Sequence, residues 1–101
     1  MDLQTLLLCM DEVTRLLDMS EVMAAVESTF REKGLGRVQM PPKSYIFFSK
    51  YDGDLRVMPS YLEGLDVSAV KVVNVHVNNW AKGLPTIMAT IILVDPQTGF
   101  P

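Results

Sequence analysis

The sequence predicts an α+β fold, with N-terminal helices packed on a largely antiparallel sheet. Three observations carry this. The first third has apolar residues at helical spacing, and it ends at Gly34 and Gly36. After Gly36 the pattern changes to short apolar and β-branched runs separated by turn residues, among them Asp52-Gly53. Helices followed by a run of strands, rather than alternating with them, indicate α+β with antiparallel pairing.

Leu6 to Cys9 is a short apolar run that reads as a brief strand. Asp11 to Leu17 carries Val13, Leu16 and Leu17 at helical spacing, with Asp11 and Glu12 suited to the first turn. Ser20 is a suitable N-cap for a second helix. There Met23, Val26 and Phe30 form a stripe, and Glu27, Arg31 and Glu32 are expected to face water. The Gly34-Leu-Gly36 pair follows a helix, so it is not a dinucleotide-binding loop, which follows a strand.

Pro41-Pro42 imposes an extended entry. Tyr45 to Ser49 then reads as a strand, Tyr51 to Asp54 as a turn, and Leu55 to Tyr61 as the returning strand. Pro59 in that strand implies an edge or a bulge. Asp66 to Val77 is a long β-branched strand, Asn78 to Gly83 a loop, Thr86 to Val94 a further strand and Asp95 to Gly99 a turn.

The 101 residues suffice for one domain. Hydrophobic residues make up 49% of them, which for so small a domain implies burial against a second domain or a second copy. The net charge of -3, without any two adjacent basic residues, lacks the footprint of a nucleic-acid binder. The longest mostly apolar stretch is about half of what a membrane helix needs, and the opening residues lack a secretory n-region. The single Cys9 precludes an internal disulfide and is expected to be a buried thiol in a reducing, cytoplasmic compartment. One histidine, His76, with no paired cysteine makes a metal site unexpected; a packed or rim histidine is the plainer reading.

Strand alternation places Lys71 in a row with Ala69, Val73, Val75 and Val77. A lysine so placed must pair with an anion, reach water or lose its charge. Arg56 shares a face with Met58, and Lys43 follows the double proline. Three cations on neighbouring extended segments suit a carboxylate-bearing small molecule if they converge, which spacing alone does not establish.

The strings Met40-Pro-Pro-Lys43, Arg56-Val-Met-Pro-Ser-Tyr-Leu62, Val70-Lys-Val-Val-Asn-Val-His76, Lys82-Gly-Leu-Pro-Thr86 and Asp95-Pro-Gln-Thr-Gly-Phe-Pro101 occur in this order. Together they resemble the ornithine cyclodeaminase and mu-crystallin family, in its archaeal alanine dehydrogenase-like branch. The resemblance implies that residues 1–101 are the substrate-side and dimerisation domain of a longer architecture, whose Rossmann domain is absent from this chain. It implies NAD or NADP for the full-length protein, with none expected on this portion alone, a small amino-acid or imino/keto-acid substrate, and a homodimer. By position, Lys71 matches the family lysine on the substrate's carboxylate or carbonyl side, and is the catalytic candidate. Lys43 falls where many members carry a carboxylate-gripping arginine, Arg56 helps to shape the site, and Thr86 matches a cofactor-side position bordering the nicotinamide. Val77 departs from the family, which often has proline there. Mu-crystallin also implies an alternative, a non-enzymatic NAD(P)H-dependent binding protein, and a purely structural dimerisation domain is the third reading.

Overall fold

The computed structural model of the chain describes residues 3–101. It contains two helices, α1 (Met10–Leu16) and α2 (Met19–Gly34), and five strands, β1 (Val38–Gln39), β2 (Ser44–Phe48), β3 (Gly53–Leu62), β4 (Val67–His76) and β5 (Ile87–Val94). The helices up to Arg37 form one compact unit and Val38–Pro101 form another. Helices followed by an antiparallel sheet make the chain α+β, as its residue pattern predicts.

In the helical unit, Leu6 to Cys9 is not a strand. Cys9 is exposed rather than buried, because it is the N-cap of α1 and its N–H donates to the Glu12 carboxylate at 3.0 Å. The cap of α2 is Asp18, not Ser20: the Asp18 carboxylate accepts from the Glu21 N–H at 3.3 Å, and the Ser20 hydroxyl donates to the same oxygen. Gly36, at φ +74°, ends the helix in a Schellman turn. The Arg37 N–H bonds to the Glu32 carbonyl at 3.0 Å and the Gly36 N–H to the Lys33 carbonyl at 3.1 Å. This turn returns Arg37 to Glu32, whose carboxylate accepts two guanidinium hydrogen bonds at 2.8 and 2.7 Å. Glu32 is therefore buried rather than facing water, whereas Met23 and Phe30 of the apolar stripe are exposed.

In the strand unit, β3 lies between β4 on one side and both β1 and β2 on the other, and β5 pairs with β4. The Ser49–Tyr51 turn fixes the β2–β3 register, ending with Asp52 in the left-handed region at φ +49°. Between the pairs Gln39↔Tyr61 and Ser44↔Val57, the segment Met40 to Lys43 faces the shorter segment Met58 to Ser60. That extra residue is a bulge, and it holds Pro41 and Pro42. Pro59 lies opposite it, so this interior strand tolerates proline where neither β1 nor β2 pairs with it. Pro59 thus marks a bulge and not an edge strand.

Among the described residues, Val73 at the centre of β4 is the one buried hydrophobic side chain. Ile91 and Leu93 of β5 are 64% and 63% exposed, and Phe47 of β2 is 68% exposed. The apolar excess in the sequence therefore lies largely on the surface of this chain. No described helix is long and apolar enough to cross a membrane.

Candidate functional site

Strand register decides which side chains share a face, because directly paired residues point the same way. Lys71 pairs with Met58 on one side and Ile91 on the other, and Val73 pairs with Arg56 and Ala89. Arg56 in turn pairs with Tyr45, and Asp54 with Phe47. Arg56, Lys71 and Tyr45 therefore occupy one face. Lys43 lies just before β2, outside the paired residues, and comes near this face through its contact with the Tyr45 ring. Arg56 and Lys71 thus lie beside Met58 on one face. Lys71 is diagonal to Arg56, about 7–8 Å away between backbones.

The local contacts agree with this placement. The Arg56 guanidinium lies 5.2 Å from the centre of the Tyr45 ring, and the Lys43 ammonium lies 5.7 Å from it. The Asp54 carboxylate accepts from Arg56 Nε at 2.8 Å and from Nη2 at 3.2 Å. These bonds hold the Asp54 carboxyl below its ordinary value of 3.8 and push the Arg56 guanidinium further up. Arg56 keeps its Nη1 hydrogens for a ligand, since only Nε and one Nη2 hydrogen are committed. Lys71 is exposed and makes no ion pair among the described residues. Chemically, the face offers one guanidinium edge and two ammonium groups around an apolar floor, which suits a small carboxylate with a short apolar body.

Thr86 does not join this cluster. It precedes β5, and its carbonyl accepts from the His76 N–H at 2.8 Å, five pairs beyond Lys71↔Ile91. That distance is about 17 Å along the strands, and alternation sets Thr86 with His76 on the other face. His76 is packed, as expected, stacked on Phe48 with ring centres 5.8 Å apart and its Nδ1 buried without a partner. It also rests on Gly53, where an added Cβ would come within 2.4 Å of the imidazole. Gly53 has no positive φ, so this glycine of the Asp-Gly pair serves the imidazole rather than the turn. A cleft of about 300 Å³ adjoins His76, lined also by Lys50, Asp52, Asn79 and Lys82. Asn79 is buried and donates to the Pro85 carbonyl at 2.9 Å, which shapes the loop leading to Thr86.

Sequence reasoning missed Tyr45 and Asp54. Both become visible once the register is known, since Tyr45 pairs with Arg56 and Asp54 is two residues from it on the same face.

Alanine dehydrogenase of Archaeoglobus fulgidus is 52% identical over 99 residues, covering 98% of this chain and 30% of that protein. A solved archaeal alanine dehydrogenase dimer with bound NAD superposes with a TM-score of 0.83 at 51% identity, over 91% of this chain and 28% of the other. The Δ1-pyrroline-2-carboxylate reductase of Thermococcus litoralis, solved with NADH and L-proline, gives a TM-score of 0.83 at 42% identity, over 87% and 27%. The chain thus spans under a third of the length of these relatives. The pattern that defines the ornithine cyclodeaminase/mu-crystallin family matches residues 3–101, and this chain belongs to that family.

Proposed function

We propose that the chain supplies the substrate-side wall of an NAD(P)-dependent enzyme that interconverts a small amino acid with its imino or keto acid. The observation that carries this reading is that Arg56 and Lys71 share one sheet face beside Met58, with the Lys43 ammonium against the Tyr45 ring that also meets Arg56. The relatives named as alanine dehydrogenase and pyrroline-2-carboxylate reductase act on substrates of that size and charge, which supports it.

In this reading Lys43 and Arg56 hold the carboxylate, and Lys71 reaches from the neighbouring strand to the reacting side of the molecule, where its ammonium polarises the carbonyl or imine. Met58 and Ile91 flank Lys71 and exclude water from the substrate's short side chain. When bound, a nicotinamide cofactor supplies hydride exchange with the substrate's α-carbon. No described segment has the strand-glycine-helix form that grips its pyrophosphate, so most of its binding site is outside these residues. This chain's contribution is the exposed Thr86 hydroxyl. Thr86 lies about 17 Å along the strands from Lys71 and on the opposite face, so in this reading it meets the cofactor at the end of the sheet and not beside Lys71.

Homodimerisation is part of the same proposal. The exposed apolar side chains of β5 need a cover, and the archaeal relative was solved as a dimer.

The test is NADH formation, by the protein that carries this chain, from L-alanine, L-ornithine and L-proline. Turnover of one of them supports the enzyme reading and identifies the substrate. Tight NAD(P)H binding without turnover of any favours the mu-crystallin-like binding protein instead.

A further inference from the structure

We propose that Tyr45 is the positioning residue of the cation cluster, its ring holding Lys43 and Arg56 so that both address one carboxylate. The proposal rests on the reading of this face as the carboxylate site. Two like charges brought to adjacent strands repel, and flexible lysine and arginine side chains drift apart in water unless something gathers them.

Tyr45 is placed to do this. It pairs directly with Arg56 across the strands, and Lys43 is two residues before it, just ahead of the strand. Its ring centre lies 5.2 Å from the Arg56 guanidinium carbon and 5.7 Å from the Lys43 nitrogen, both within cation–π range. The ring is itself braced by Phe47, stacked at 5.7 Å with an interplanar angle of 7°. Asp54 fixes the far edge of the Arg56 guanidinium by two hydrogen bonds, so Arg56 has one free edge and one orientation. Phe47 touches neither cation within such a distance, so the gathering role belongs to Tyr45 alone of the two rings.

The experiment follows the Arg56 Nε–Hε resonance by NMR while the protein that carries this chain is titrated with pyruvate as a carboxylate probe. The hydrogen bond to Asp54 slows exchange of that proton and makes it observable. The wild-type protein is expected to show a saturable shift. Tyr45→Phe, which keeps the π-face, is expected to bind pyruvate within about 3-fold of wild type. Tyr45→Leu is expected to weaken binding about 5- to 30-fold, the combined effect of two exposed cation–π contacts. Ile46→Ala, on the other face of β2, serves as the packing control and is expected to leave the affinity unchanged.

Wild-type affinity in Tyr45→Leu would overturn the proposal, as would equal losses in Tyr45→Leu and Ile46→Ala, which would mean general loosening of β2. A wild-type Arg56 signal that ignores pyruvate would instead remove the carboxylate site itself, and this inference with it.

Discussion

Replacing Gly53 with alanine is expected to destabilise the protein only while His76 is present. An alanine Cβ at position 53 would lie 2.4 Å from His76 Cδ2 and 2.5 Å from Nε2. Ordinary carbon contacts begin at about 3.5 Å, so the overlap is roughly 1 Å and the imidazole must leave its seat. That seat includes the stack on Phe48 and the burial of Nδ1. Overpacking of this kind costs about 1–3 kcal/mol. In a His76→Ala background the obstacle is gone, and Gly53 has no positive φ to protect. There the same substitution should stabilise by about 0.5–1 kcal/mol, because glycine in a strand carries excess unfolded-state entropy. The assay is urea denaturation of the wild type, both single variants and the double variant. The effect of Gly53→Ala should change sign between backgrounds, with a coupling of at least about 1.5 kcal/mol. Equal effects in both backgrounds would refute the steric account. In the proposed reading Thr86 borders the cofactor, and the His76 N–H bonds to the Thr86 carbonyl. Gly53→Ala should therefore raise the KM for the cofactor more than the KM for the substrate.

Further predictions concern charge and surface. Asp54 has a depressed carboxyl pKa, chiefly through the Arg56 hydrogen bonds, so its stabilising effect is present above its ordinary 3.8 and is lost as pH falls through the depressed value. Asp54→Asn should accordingly flatten the stability profile below about pH 4, as read by acid denaturation. Tyr61 behaves in the opposite sense: its hydroxyl donates to Asp66 at 2.8 Å, which raises its pKa above 10.0. Its contribution holds below pH 10 and is lost as pH rises through the raised value, so Tyr61→Phe should remove that part of the alkaline slope. Arg37→Met leaves the buried Glu32 carboxylate unpaired and should cost about 1–3 kcal/mol in urea denaturation, measurably more than Arg31→Met on the exposed Glu27 pair. Leu93→Glu, at an exposed site on β5, should shift a homodimer toward monomer in light scattering, raising the dissociation constant about 10-fold or more.

The sequence made the order and kind of the elements legible, because periodicity and turn residues are local signals. Gly34 and Gly36 marked the end of α2 and Asp52-Gly53 marked the hairpin for this reason. Lys43, Arg56 and Lys71 were visible as basic residues in extended segments. Their convergence was not, since it depends on registers set by the Ser49–Tyr51 turn and the bulge at Pro41-Pro42. Tyr45 and Asp54 went unnoticed because an aromatic and an acid in strands look like packing and solvation until Arg56 is placed between them. The buried-thiol expectation for Cys9 failed for a related reason: the Leu6–Cys9 run looks like core by composition, yet it is exposed chain leading into α1. Likewise Glu32 was assigned to water by helical spacing, and a turn beyond the helix returned Arg37 to cover it.

The central claim is that Lys71 serves the substrate rather than only keeping a strand soluble. Steady-state kinetics of Lys71→Met against wild type, in the protein that carries this chain and with the amino acid it turns over best, test this most directly. Loss of a charge-assisted contact to the reacting molecule predicts a fall in kcat/KM of about 10- to 150-fold, with the melting temperature unchanged because Lys71 is exposed and makes no ion pair among the described residues. A variant with wild-type kcat/KM would contradict the account.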